Sequence, residues 1–361
     1  MTDALLDPSA LLSWLTAHLP ARVPVGSTLT VRQFPAGFSN LTYAVEVTAP
    51  DQTSALYVLR RPPRGVSGGT AHDMGREHDL LAALHPLGIP VPMPYIRCDD
   101  ATVIGAPFYL MAHVAGTIVR RPADLQALWP ETSHTPAQLA ALSETVITTL
   151  AQLHRIPVTE GPLAAMGRPD GYVARQVAGW TKRWHAAKTT DVPALDAVAA
   201  WLEQERPPER AAALIHNDFK LDNLVVAASA SVEGAPHVTA ILDWEMATIG
   251  DPLMDLGTTL AYWVEAGDAP MFRALGLGVT ALPGSLTRAE VVQSYQRESG
   301  LDVSAAPFYY TFGLFKVAVI AQQIYARHVR GLTNDARFAT LDQVVLALAA
   351  SATRVMTTGQ L

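Results

Sequence analysis

A change in hydrophobic pattern after the first third of the chain constrains its fold most strongly. The first part contains short runs rich in Val, Thr and Tyr that turn residues separate, whereas later apolar residues recur at helical spacing. This change predicts an α+β fold with two lobes. We expect a small β-rich N-terminal lobe over residues 1–112 and a larger, mainly helical C-terminal lobe over residues 113–361.

The first lobe is predicted to begin with a three-strand antiparallel meander. Its strand-like runs are Thr28–Phe34, Leu41–Val47 and Leu56–Arg60, and segments with turn chemistry separate them. A helix over Asp73–Leu84, a proline-broken loop and a strand over Phe108–His113 are expected to follow.

Apolar periodicity predicts most of the second lobe to be helical. The predicted helices are Pro136–Ile156, Tyr172–Ala187, Val192–Glu205, Thr287–Ser299, Phe308–Arg330 and Phe338–Met356. Two short β-like runs, Leu224–Ala227 and Val238–Leu242, lie between the third and the fourth of these helices.

Composition narrows the class of protein. With 361 residues, 49% of them hydrophobic and 16% charged, the chain can bury a large core. Its single cysteine, Cys98, rules out an internal disulfide and suits a reducing, cytoplasmic compartment. The net charge of -7 argues against a general nucleic-acid binder.

No membrane segment is expected. The first residues carry no positive charge ahead of their apolar run, which argues against a signal peptide. Lys316, Gln322 and Gln323 interrupt the most apolar later stretch, Phe308–Tyr325, so we predict no membrane span there.

Candidate chemistry concentrates in two segments of the second lobe. In LIHNDFKLDNLVV, the residues His216, Asp218 and Asn223 match the pattern H-x-D-x-x-x-x-N, and Asp243 follows at the end of an apolar run. Phosphoryl transfer from a nucleotide needs compensating charge and a hydroxyl held in line with the γ-phosphate. The joint pattern therefore predicts a phosphoryl-transfer centre.

Each residue type suits one task in that chemistry. Asp218 would accept or orient the proton of the acceptor, and Lys220 would neutralise charge on the transferred group. Oxygen atoms of Asn223 and Asp243 would hold Mg²⁺, a hard cation. Taken singly, an Asp before a turn is usually a cap and an Asn after it a turn residue.

The segments HNDFKLDN and LDWEMATIGDPLMDLG resemble the aminoglycoside phosphotransferase-like (APH) small-molecule kinases. The resemblance is to the branch of kinase-like domains associated with acyl-CoA dehydrogenases, and it extends from Phe34 to the helix near Arg330. It implies a bilobal protein-kinase-like fold, ATP as phosphate donor, Asp218 as base, and magnesium held by Asn223 and Asp243.

The same resemblance assigns nucleotide contacts in the first lobe. The loop with Gly37, Ser39 and Asn40 falls where the family positions its nucleotide, although such a loop is more often a plain hairpin turn. The strand that ends near Met111 and His113 would lead into a hinge whose backbone bonds adenine.

The phosphate-facing cation of the first lobe departs from the kinase pattern. No lysine precedes Lys182, so the residue at the end of the third strand is Arg60. A guanidinium can contact phosphate and still pair with a carboxylate. Glu77 lies one helical step from Leu80 and Leu81 and is the expected partner, with a solvated surface position as the open alternative.

Three further residues have structural interpretations. His216 is expected to orient the loop rather than to move a proton. Asp251, followed by Pro252, is good capping chemistry, and the resemblance implies that Asp255 braces the catalytic loop. The histidines show no paired spacing with carboxylates or thiols, so no zinc site is predicted.

The sequence leaves several functions open. A protein kinase needs a longer activation segment than the seven residues between Asp243 and Asp251, and no P-loop motif occurs. A small-molecule hydroxyl acceptor is therefore favoured. Hydroxyacyl-CoA, aminoglycosides, other amino alcohols and sugars are the candidates, and Arg327, His328 and Arg330 would meet the phosphates of a CoA thioester.

A non-catalytic nucleotide-binding module is the alternative from another class, and Arg60 in place of lysine is its main support. The sequence leaves the oligomeric state open.

Overall fold

The computed structural model describes residues 6–34, 40–63, 72–130, 134–229, 235–274 and 278–361. The chain divides into two compact units. Unit 1 comprises Met1–Ala115 and Thr239–Met246, and unit 2 comprises Gly116–Val238 and Ala247–Leu361. The membership of Thr239–Met246 in the first unit was not predicted. The predicted lobe boundary between residues 112 and 113 stays a prediction.

Unit 1 contains a five-stranded antiparallel sheet. Its elements before the second unit are α1 (Pro8–His18), β1 (Thr28–Gln33), β2 (Leu41–Thr48), β3 (Ser54–Arg61), α2 (Met74–Leu84), β4 (Pro94–Cys98) and β5 (Phe108–Ala112). The strand order in the sheet is β1-β2-β3-β5-β4, and the predicted three-strand meander is present as β1 to β3.

Two of these elements were not predicted. Strand β4 begins at the last proline of the predicted loop, and Pro94 occupies the first strand position, where a missing N–H is tolerated. Helix α1 follows Asp7, whose carboxylate accepts the backbone N–H groups of Ser9 and Ala10. Leu11 and Leu15 of this helix join the core of the sheet.

Helices dominate unit 2, as predicted. The remaining elements in chain order are β6 (Thr117–Ile118), α3 (Pro136–His154), α4 (Tyr172–Ala187), α5 (Pro193–Gln204), β7 (Ala213–Ile215), β8 (Leu224–Ala227), β9 (His237–Ile241), β10 (Thr248–Gly250), α6 (Pro252–Tyr262), α7 (Pro270–Ala274), α8 (Arg288–Ser299), α9 (Ala306–Val329) and α10 (Leu341–Thr358). The bounds of α4 and β8 are those predicted.

Short strands frame the H-x-D-x-x-x-x-N segment. β7 ends immediately before His216 and pairs with β10, so that Ile215 lies opposite Thr248. β8 begins immediately after Asn223 and pairs with β6. The loop between β7 and β8 is therefore anchored at both ends by backbone hydrogen bonds.

Helices α6 and α9 approach closely at a pair of glycines. A Cβ atom added at Gly257 would lie 2.1 Å from the carbonyl oxygen of Tyr309, and one added at Gly313 would lie 2.1 Å from that of Gly257. Only glycine allows backbones to pass at this distance. The crossing thereby sets the distance between Thr258, which follows Gly257 on α6, and Lys316, which lies one turn after Gly313 on α9.

Within the described residues, the helical stretch Ala336–Thr358 alone has the length and apolar composition of a membrane span. The core helices of water-soluble proteins often have the same length and composition.

Candidate functional site

The loop between β7 and β8 brings Asp218, Lys220 and Asn223 together. Lys220 Nζ lies 3.0 and 2.9 Å from the two carboxylate oxygens of Asp218. Asn223 Nδ2 donates to the backbone oxygen of Asp218 at 2.8 Å and to its Oδ2 at 2.9 Å. The amide of Asn223 thus directs its nitrogen toward Asp218, which leaves its oxygen as the atom able to accept a cation.

Lys220 is held as a cation. Its Nζ lies 4.7 Å from the centroid of the Tyr262 ring. Burial opposes the charge on Lys220, but Tyr262 and Asp218 outweigh burial and raise the pKa of the ammonium group above its usual range. A positive charge therefore lies beside the Asp218 carboxylate at neutral pH.

Asp255 braces this loop from α6, as the resemblance implied. Its carboxylate accepts the backbone N–H of His216 at 2.6 Å and that of Asn217 at 2.8 Å. It also shares a hydrogen bond of 3.2 Å with Nε2 of the buried His154. Burial opposes ionisation of Asp255, but these hydrogen bonds and the nearby histidines lower its pKa.

The side chains of His216 and Asp251 have structural contacts. Nδ1 of the buried His216 accepts the backbone N–H of Asp218 at 3.3 Å, which orients the loop. Asp251 accepts the N–H of Leu253 at 2.8 Å and caps α6. The predicted cap by Asp251 is confirmed, and the prediction that His216 orients the loop rather than moves a proton stays a prediction.

In unit 1, Arg60 lies among three carboxylates. Its guanidinium is 2.9 Å from Glu77 Oε1, 3.0 Å from Asp243 Oδ1 and 3.6 Å from Glu245 Oε2. Glu77 is 2% exposed, so the pair predicted for Arg60 is confirmed and the solvated position of Glu77 is excluded. Burial opposes the charge of Arg60, but Glu77, Tyr109 and Asp243 outweigh it and raise its pKa.

Asp243 follows β9 in a left-handed backbone conformation with φ of 65°. This conformation is uncommon outside glycine, although Asp tolerates it better than most residues do, and it is enriched at functional sites. The carboxylate of Asp243 keeps 38% of its surface exposed although it contacts Arg60. Its oxygens and the amide oxygen of Asn223 are the donor type that Mg²⁺ prefers, so the predicted ligands fit that ion chemically.

Glu245 was missed by the sequence analysis. Its Oε2 accepts a hydrogen bond of 2.8 Å from Asn40 Nδ2, and Asn40 Oδ1 lies 2.9 Å from Nδ1 of His72. Asn40, predicted to contact nucleotide, is thus connected to the Asp243 segment. The position of Glu245, two residues after the predicted metal ligand, was the available signal.

For the other residues predicted to contact nucleotide, the structure gives at most their positions. Gly37 and Ser39 lie outside the described residues. Met111 is buried in β5 opposite Val58, and His113 is exposed just after that strand. The adenine contact of Met111 and His113 stays a prediction.

A small cavity of about 20 Å³, with room for about one water molecule, lies beside Lys220 in unit 2. Apolar side chains form much of its wall: Val119, Val146, Leu221, Trp263 and Val279. Arg120 and Asp222 add one charge of each sign. The wall of this cavity is therefore mostly apolar, although its volume is too small for a ligand as large as an acyl chain.

Comparison with solved structures identifies the fold class of this chain. A candidate aminoglycoside phosphotransferase from Ralstonia eutropha JMP134 is 27% identical, with a TM-score of 0.77 over 98% of this chain and 99% of that one. Aminoglycoside phosphotransferase APH(4)-Ia, solved with AMP-PNP and hygromycin B, shares the fold at 14% identity, with a TM-score of 0.58 over 98% of this chain and all of that one. The predicted α+β, kinase-like fold class is confirmed.

Sequence comparison defines the family. Residues 30–287 match the phosphotransferase enzyme family (APH), and the chain belongs to it. Acyl-CoA dehydrogenase family member 11 is 35% identical over 330 residues in Homo sapiens and 36% over 336 residues in Gallus gallus. Each match covers 90% of this chain and 40% of the relative, so the chain spans well under half the length of these proteins.

Proposed function

We propose that this chain transfers the γ-phosphoryl group of ATP to a hydroxyl of a small molecule. The single observation that carries the proposal is the contact of Asp218 with both Lys220 and Asn223 in the β7–β8 loop. Kinase-type phosphoryl transfer requires a carboxylate at the acceptor hydroxyl, a cation at the transferred group and an oxygen ligand for magnesium. This loop supplies all three.

In the proposed reaction, Asp218 accepts the proton of the acceptor hydroxyl. The acceptor oxygen forms a bond to the γ-phosphorus while the bond from that phosphorus to the β,γ-bridging oxygen breaks, which releases ADP. Lys220 and Arg60 offset the negative charge of the phosphates. Asn223 and Asp243 would hold Mg²⁺, which neutralises phosphate charge when bound.

For the acceptor, we propose a hydroxyacyl-CoA. The small cavity beside Lys220 has a mostly apolar lining, which disfavours a polycation because a polycation would need several carboxylates. The relatives named acyl-CoA dehydrogenase family member 11 support the same class. Arg327 and Arg330, exposed at the end of α9, are candidate contacts for the CoA phosphates.

Other acceptors remain candidates. The solved structure of APH(4)-Ia holds the aminoglycoside hygromycin B, which keeps aminoglycosides in consideration, with other amino alcohols and sugars. A non-catalytic nucleotide-binding module is the alternative of another class, because arginine replaces the usual lysine at position 60. The single cysteine suits action in the cytoplasm.

A screen of acceptors tests the proposal. Purified protein is incubated with ATP, Mg²⁺ and one hydroxyacyl-CoA, sugar, amino alcohol or aminoglycoside at a time. ADP release and the phosphorylated product are measured in parallel. We expect product with a hydroxyacyl-CoA, and its formation should be about 100-fold slower or more in Asp218→Asn. Binding of ATP without product from any acceptor would favour the non-catalytic module.

A further inference from the structure

Lys316 is a buried cation that the proposed reaction does not use. It lies on α9 and is 4% exposed. Its Nζ donates to the backbone oxygen of Asn217 at 2.7 Å and to Thr258 Oγ1 at 3.4 Å, and it lies 5.8 Å from the Trp180 ring centroid. Both of these hydrogen-bond partners are uncharged, so among the described residues the charge of the ammonium group is compensated at longer range.

Keeping a charge in this place is unfavourable for the folded state. Burial lowers the pKa of Lys316 to about 8, against the opposing effect of Asp218 and Asp255, while Lys220 and Arg183 add to the lowering. Buried charges with neutral partners destabilise a fold and are common where they serve a site. The destabilisation caused by the buried charge of Lys316 therefore indicates a functional role for this residue.

The partner of Lys316 indicates what that role is. Asn217 has φ of 66°, a left-handed conformation that is uncommon but that Asn tolerates better than most residues do. Its backbone N–H is bound by Asp255 of α6, its side-chain oxygen by the Tyr172 hydroxyl of α4, and its backbone oxygen by Lys316 of α9. Three helices thus hold the residue that immediately precedes Asp218.

The crossing of α6 and α9 places Lys316 within hydrogen-bond distance of the Asn217 oxygen. Gly257 and Gly313 hold the two helix backbones in direct contact. Thr258 follows the first glycine, and Lys316 lies one turn beyond the second. A larger distance between the two helices would move Lys316 Nζ away from the backbone oxygen of Asn217. At the observed crossing, these two atoms are 2.7 Å apart.

We propose that Lys316 is a positioning residue that holds Asn217 in its left-handed conformation and thereby aims Asp218 at the acceptor hydroxyl. The catalytic consequence rests on the proposed kinase function, whereas the structural part does not. Loss of Lys316 should lower kcat and leave the KM for ATP nearly unchanged, because Lys316 acts on the loop and not on the nucleotide.

Hydrogen exchange tests the structural part without any substrate. Lys316→Met removes the donor and keeps an apolar chain near Trp180. Gln322→Met is the matched control, since Gln322 is buried on the same helix and donates to Ala187 and Thr189, away from the loop. We expect faster amide exchange over residues 213–223 in Lys316→Met only. Equal exchange of this loop in wild type and both variants would overturn the proposal.

Steady-state kinetics with the acceptor found by the screen test the catalytic part. We expect kcat about 10- to 100-fold lower in Lys316→Met, a KM for ATP within about twofold, and a kcat near wild type in Gln322→Met. Lys316→Arg, which keeps a charged donor, should recover part of kcat.

An unchanged kcat in Lys316→Met, measured beside an active wild type, would refute the positioning role. An inactive wild type with faster loop exchange in Lys316→Met refutes the kinase function and supports the structural part.

Discussion

Arg60 donates a hydrogen bond of 3.0 Å to Asp243, the residue proposed to hold magnesium. The same guanidinium is ion-paired with the buried Glu77. Asp243 is thus engaged by a cation of its own chain, and a metal ion and nucleotide phosphates would offer each partner a replacement. The contact ties the arginine that departs from the kinase pattern to the segment that carries the metal ligand.

Replacement of Arg60 should therefore impair nucleotide use. In Arg60→Ala we expect the KM for ATP to rise about 10- to 100-fold, the effect of losing charge-assisted hydrogen bonds to phosphate. Arg60→Lys should retain more affinity. The control is Arg61→Met, because Arg61 is buried but bonds to Pro62 and Ile104 rather than to Glu77 or Asp243. An unchanged KM in Arg60→Ala would show that Arg60 does not contact phosphate.

Replacement of Asp218 should separate chemistry from binding. Asp218→Asn keeps the shape of the side chain but removes the proton acceptor, so we expect kcat to fall about 100- to 10,000-fold. ATP affinity, measured by calorimetry in the absence of acceptor, should stay within about twofold of wild type. A variant that retains full turnover would exclude Asp218 as the base.

Lys316 should make stability depend on pH in a particular direction. Its pKa of about 8 in the folded chain lies below the ordinary 10.5, so between these values the unfolded chain binds the extra proton and stability rises with pH. The free energy of unfolding of wild type relative to Lys316→Met should rise by about 2 kcal/mol between about pH 7.5 and 9.5. Urea unfolding of both proteins measures this difference, and a constant difference would contradict the lowered pKa.

The crossing of α6 and α9 should be intolerant of a methyl group. Gly313→Ala would place Cβ 2.1 Å from the Gly257 oxygen, and we expect a loss of about 3 kcal/mol of unfolding free energy. Gly267→Ala is the control, since no atom of the described residues lies within 4 Å of a Cβ at that position. Thermal and urea unfolding should show the first change and not the second.

The phosphoryl-transfer residues could be predicted because they lie within one short loop. Asp218, Lys220 and Asn223 are close in sequence, so their spacing nearly determines their contacts. Whether Glu77 is buried or exposed could not be decided from the sequence. A charged residue on an amphipathic helix is buried only when a partner of opposite charge compensates it. That partner, Arg60, lies on a strand and is distant in sequence.

Other features were missed for related reasons. Strand β4 begins at a proline, which in sequence indicates a break rather than a strand edge. Lys316 interrupts an apolar helix and in sequence argued only against a membrane span. Its contact with Asn217 joins residues 99 positions apart, which no local pattern reveals.

The membership of Thr239–Met246 in unit 1 affects how this protein could be divided. The chain passes from one unit to the other after Ala115, Val238 and Met246. A fragment that ends at Ala115 would lack Asp243 and Glu245, and it would also lose the backbone bond from Ile241 to Pro90. Neither unit can therefore be expressed whole as one uninterrupted fragment, and a chimera with a related chain would need to exchange both segments of a unit together.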